Sequence, residues 1–354
     1  MLKCLRKDLL LIIAVATVFL SLSYAIGFVT DRTPKTVELQ TAFLSGERAP
    51  RVQPTTVRMW RKPAFEKTAV INSTSLKSPA KMRAQNSVNI FVLDWLDLRV
   101  KEFSPNGKLL RAFGEEKGSP DAFVNPTGFT LDSGGNLWVC DIKQQLMGVF
   151  NTDGSKRTIK PSNTTYRIAA VGDVMITMVM SGQSLFETYD LSGQKLKSFG
   201  ELLADQSDKG IILDGEIIGD AESHGFIYGG RYLGVIGAYD AEGKQRFLVR
   251  TIDDVPQPVV LGIEGKRKIN PNSTRSVLSL SVLDKELYVL SGVHPDGAAD
   301  QGGKVMDVYD KQDGHYLYSW ELPVEGQEAI VASNYIYIRS DSEVTVWSFN
   351  QIHK

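Results

Sequence analysis

The chain has 354 residues and a formal net charge of -1, a length beyond one small core and a balance that selects no particular partner. Two cysteines exclude a disulfide-rich scaffold, and 31 glycines point to many tight turns between short strands.

The N-terminus is unlike the rest. Lys3, Arg6 and Lys7 precede Leu9 to Val29, a run of 21 residues without a charge. About 20 apolar residues span a bilayer as a helix. The pattern predicts a basic cytoplasmic segment over 1–8 and a transmembrane signal anchor over 9–29, with the remainder extracytoplasmic. The alternative is a signal peptide cleaved near Ala25, after the small-residue pair Ser23 and Ala25, which leaves a secreted chain. In either case Cys4 and Cys140 are kept apart, so no intrachain disulfide is expected.

Residues 30–51 read as a linker. Between Asp31 and Val88 eleven basic residues stand against four acidic ones, whereas residues 89–354 hold 26 basic and 36 acidic. The basic charges are scattered rather than clustered, which fits a solvated connector better than a lipid-binding patch.

From residue 52 onward a repeat appears. An aromatic residue followed by a polar turn ending in Gly recurs as FSPNG at Phe103, FNTDG at Phe150, YDLSG at Tyr189, YDAEG at Tyr239 and YDKQDG at Tyr309, with a degenerate WSFN at Trp347. Each predicts a hairpin. Upstream of each lies a β-branched and aromatic run: NIFVLD, NLWVCD, DVMITMV, GFIYGG, ELYVLSG and NYIYIRS. Ahead of several lies a further strand, such as TGFTLD, YRIAAV or VLSLSVL. Six such copies predict an all-β fold, a six-bladed β-propeller with four-stranded blades over 52–354, expected to be monomeric. The last copy runs out after its third strand. The missing fourth should come from the N-terminal side and close the ring, with Pro54 to Trp60 as the candidate strand.

The stretch from Phe113 to Gly154 resembles an NHL-type repeat: a Gly-rich lead, a Pro before an inner strand, the core LDSGGNLWVCD, and an aromatic before a turn Gly. The resemblance extends loosely over residues 80–350 and implies a six-bladed propeller of the NHL or TolB-like type. Aligned on the repeat, Cys140 takes the place of Leu93 and is expected to be a packed thiol. Asp141 matches Asp94, an acid expected to tie down a turn.

Two long segments flank the fifth copy and are expected on one ligand-binding face. One carries Lys266, Arg267 and Lys268; the other carries His294, Asp296 and Asp300; Arg231 is a further candidate on that face. Asp214, Glu216, Asp220 and Glu222 could supply oxygens to Ca²⁺, although no calcium-loop spacing is present. Four histidines in unlike places of the repeat argue against a zinc site of several histidines. No nucleophile elbow and no Cys–His pairing signal appears. The reading is therefore a membrane-anchored module that binds or scaffolds a protein, peptide or glycan, without nucleic acid and without a cofactor. The alternative is a Ca²⁺-dependent hydrolase or lactonase of the six-bladed class, a fold on which ligands come from different blades and leave no local motif.

Overall fold

Six sheets built on four antiparallel strands account for nearly every strand of the computed structural model; from inside to outside the strands follow chain order, except that an N-terminal strand is outermost in blade six and a short parallel strand is added to the edge of blade five. The structure describes residues 35–37, 49–84, 88–180, 184–203, 209–263, 266–294 and 303–350. The innermost strands are Pro79–Arg83, Pro126–Leu131, Thr165–Val171, Gly215–Asp220, Val277–Leu283 and Glu328–Ala332, which begin blades one to six. Each packs on the next, and the sixth packs on the first, so the ring is closed. The chain is thus an all-β, six-bladed propeller. The expected anchor over 9–29 lies outside the described residues; among those described, no helix is long and apolar enough to cross a membrane.

The repeat signals fall where the sequence puts them. All six β-branched runs form second strands, from Ile90–Asp94 in blade one to Tyr335–Arg339 in blade six. The aromatic-to-glycine turns join third and fourth strands. Gly107, Gly154, Gly193, Gly243 and Gly314 occupy the turn with φ between 74° and 91°, a region that side chains disfavour. Asp94 and Asp141 end their second strands and accept backbone N–H bonds from both flanking loops: Lys77, Ser78 and Asp97 for the first, and Val124, Asn125, Lys143 and Gln144 for the second.

Core residues lie between blades rather than around a single centre. Phe91, Leu93, Phe123 and Phe129 join blades one and two. Phe186, Phe199, Phe226 and Tyr239 form an aromatic cluster between blades three and four, with Phe186 and Phe226 5.0 Å apart edge to face. Cys140 is fully buried among Trp138, Met147 and Ile168, and burial pushes its thiol up to about 12.

Closure differs from expectation in its residues. An N-terminal strand does complete blade six, but it is Ala64–Ile71, antiparallel to Val344–Asn350, and not 54–60. Glu66 and Lys67 suit an outer edge facing water, and Phe65 and Ile71 reach the blade interfaces, so charge masked this strand in the sequence. The preceding segment is a strap on blades four and five. Arg51 bridges Val249, Gln53 binds backbone of Arg250, Gly314 and Tyr316, and Trp60–Arg61 pairs in parallel with the outer strand of blade five. Arg58 clamps the strap through Asp307 at 2.9 Å and Asp253 at 2.6 Å.

A second compact unit combines, among the described residues, Lys35–Val37 with 259–263 and 266–271. Within it Lys35–Val37 pairs with Val260–Ile263, which forms a hairpin with Lys266–Ile269.

Candidate functional site

Inner strands present charged groups to the ring axis at one end and small or aliphatic groups at the other. The charged end centres on Glu216 of blade four, which is 1% exposed. Lys81 and Arg83, from blade one on the opposite side of the ring, reach this carboxylate, Arg83 at 3.5 Å. Arg231 contacts it at 2.6 Å and Arg167 at 3.5 Å. Glu328 of blade six forms a second centre: it accepts the Met82 N–H at 2.9 Å, pairs with Arg339 at 3.2 Å, and lies 3.5 Å from Arg83 and 3.7 Å from Lys81. Asp214 pairs with Arg231 at 3.0 Å and with Arg167 at 3.7 Å.

Burial alone would raise the Glu216 carboxyl, but Lys81, Arg167, Arg231 and Arg83 hold it well below the usual carboxylate range. Burial pulls Lys81 down to about 8, against the pull of Glu216 and Glu328 and with the push of Arg167 and Arg83. Five cations therefore face three carboxylates. Such a cluster is expensive to desolvate and expensive to break, because removing one partner strands a buried charge.

Beyond this cluster the axis widens into a funnel of about 990 Å³. Its wall includes Ala169, Ala170, Ile218, Val282, Val331 and Ala332. Arg83 forms the floor, donating to the Ile217 carbonyl at 3.4 Å. Close strand approach shapes the wall. A Cβ on Gly219 would lie 1.9 Å from the Ala170 carbonyl oxygen, so only glycine lets blades three and four meet there. Free strand edges are capped by side chains: Ser279 exchanges hydrogen bonds with the Ala329 backbone, and Ser281 accepts from the Val331 N–H.

The mouth lies at the turns between first and second strands, at Ala221, Asp284 and Ser333. Here Lys311, 4% exposed, donates to Asp220 at 3.1 Å and Glu222 at 2.6 Å. Asp220 Oδ2 is buried in the wall with no hydrogen-bond partner.

The residues singled out in the sequence are dispersed. Arg231 joins the charged cluster. Arg267 and Lys268 are exposed on the strand Lys266–Ile269 of the second unit, which also begins with Lys266. His294 follows the second strand of blade five, 3.9 Å from Glu325, while Asp296 and Asp300 lie outside the described residues. The four acidic candidates divide between the two ends of the axis, Asp214 and Glu216 among arginines and Asp220 and Glu222 on Lys311. These surroundings do not suit Ca²⁺, since arginine and lysine already occupy the carboxylates and repel a second cation. Among the described residues, no group of three or more His, Cys, Asp or Glu is arranged to hold a metal ion.

Arg83, Lys311 and the small-residue wall were not singled out from the sequence. The signal available was PAKMRA, in which two cations alternate with a buried Met82 on a strand that the repeat places innermost.

Fold and site together define a β-propeller with an axial pocket. No protein-family model matches the sequence, and no curated protein is significantly similar to it. The similarity that exists is to solved structures and concerns the fold. A Bacteroides fragilis protein assigned as exported superposes with a TM-score of 0.55 at 12% identity, over 85% of this chain and 99% of that one. A member of the DUF4221 family from Bacteroides vulgatus gives 0.53 at 10% identity, over 83% and 98%. Virginiamycin B lyase from Staphylococcus aureus gives 0.52 at 10% identity, over 80% and 99%.

Proposed function

We propose that this chain is an extracytoplasmic, membrane-anchored β-propeller that acts as a binding or scaffolding module, and that its ligand, a protein segment, peptide or glycan, sits in the axial funnel. The observation that carries this reading is the funnel: about 990 Å³, with small and aliphatic residues on its wall and charged or polar groups at both ends. That combination is the usual form of a ligand pocket. The basic N-terminus, the uncharged run over 9–29 and the likeness to an exported protein's fold support the location. The blade-two motif supports an NHL-type assignment of the repeat as part of the same proposal.

The test is selection of peptide and glycan libraries on the full-length chain in detergent micelles, followed by competition with an Ala221→Trp variant. Ala221 is exposed at the mouth, so the indole fills the entrance without touching core. Selected ligands should lose binding to the variant while its melting temperature is unchanged. Ligands that bind both proteins equally would place recognition elsewhere.

A further inference from the structure

The funnel is electrically asymmetric along its axis. Its floor is Arg83, backed by the cluster in which cations outnumber carboxylates five to three. Its mouth carries Asp220, Glu222 and Asp284 against the single cation Lys311. Arg83 is loosely held for a buried guanidinium. Its one short hydrogen bond goes to the Met82 carbonyl at 2.9 Å, and its contacts to Ile217, Glu216 and Glu328 lie at 3.4 to 3.5 Å. Donor capacity therefore remains on a fork suited to a carboxylate. At the other end, the unpartnered Asp220 Oδ2 calls for an N–H donor.

The spacing fits a short extended chain. Arg83 meets the strand Gly215–Asp220 at Ile217, three residues before Asp220, which is about 10 Å along a strand. An extended peptide of about three residues covers that length. Between the two ends, Ala169, Ala170, Ile218, Val282 and Val331 accept small or aliphatic side chains, with Thr130 as a hydroxyl among them.

Resting on the proposed binding role, we propose that the funnel takes the C-terminal end of a partner polypeptide, carboxylate first. The terminal carboxylate lies on Arg83, the last two or three side chains pack on the aliphatic wall, and a backbone or side-chain N–H reaches Asp220.

Fluorescein-labelled hexapeptides with Ala, Val, Ile or Leu at the last three positions test this, each made as free acid and as C-terminal amide. Fluorescence polarisation on the full-length chain in micelles should show free acids binding, with amidation weakening them about tenfold or more through loss of the charge-assisted hydrogen bonds. Arg83→Gln should remove the difference between acid and amide, and Arg83→Lys should restore part of it. If Arg83→Gln does not fold, the acid–amide comparison on the wild-type protein decides alone. Equal binding of acid and amide, both blocked by Ala221→Trp, would overturn the carboxylate-first reading and keep the funnel as the seat. Binding that Ala221→Trp leaves intact would overturn both. Absence of binding by every free acid, with a glycan still blocked by Ala221→Trp, would overturn the peptide inference alone.

Discussion

Cys140 shows how position in a repeat settles the character of a side chain. Read alone, a cysteine beside an aspartate suggests chemistry; aligned with Leu93 it becomes a strand residue facing a blade interface. In the structure the thiol is fully buried, and burial pushes it up to about 12. In a Cys4→Ser background it should not react with a thiol reagent at pH 8 in the native state, and should give one equivalent in guanidinium chloride. Turn glycines give a graded prediction. Gly154 and Gly193 share a left-handed backbone, but a Cβ on Gly154 meets nothing within 4 Å, whereas one on Gly193 lies 2.7 Å from Ile159. Gly154→Ala should cost about 1 kcal/mol from backbone alone. Gly193→Ala should cost more, about 2–3 kcal/mol, as measured by urea denaturation. The turn residues were legible because their chemistry is local. Arg83 was not, because its role depends on Glu216 and Glu328, 133 and 245 residues away in the chain.

Elements built from charge were the hardest to read. The closing strand Ala64–Ile71 is interrupted by Glu66, Lys67 and Thr68, so it lacks the continuous apolar run that exposed the other strands, and 54–60 drew attention instead. The strap that contains 54–60 is held in place by Arg58. Asp307 beneath it is 1% exposed, and burial raises its carboxyl even against the pull of Arg58. Arg58→Ala should therefore destabilise the propeller by about 3–5 kcal/mol, because Asp307 is left buried without its cation, with the Ser319 hydroxyl still donating to it. Arg58→Ala/Asp307→Ala should recover part of that loss, which a double-mutant cycle would read. The inner-strand cluster makes a pH prediction. The folded-state value of Glu216 lies below its ordinary 4.5, so its contribution is present above that pH and is lost as pH falls below it. Glu216→Gln should lower stability at pH 7, and the gap from wild type should narrow as the pH is taken down from 4.5. A gap independent of pH would show that the carboxylate is not held by its cations.

At the scale of the molecule, the ring was legible because six copies of one strand pattern leave few alternatives, and because a last blade short of a strand must borrow one. The functional face was less legible. Long segments around blade five drew attention by length alone, whereas the funnel is assembled from short turns and inner-strand residues of all six blades, none longer than its repeat requires. Inner-strand residues such as Ala169, Ala170 and Val331 carry no individual mark; only closure brings them around one axis. Arg231 and His294 follow second strands, so they lie toward the end of the ring opposite the funnel's mouth. The two ends can be distinguished by one measurement: hydrogen–deuterium exchange of the full-length chain with and without a selected ligand. Binding in the funnel predicts new protection in residues 217–222, 282–284 and 331–334, with no change in 252–258. Protection confined to 252–258 and 292–294 would contradict the account and move the binding site to the opposite face.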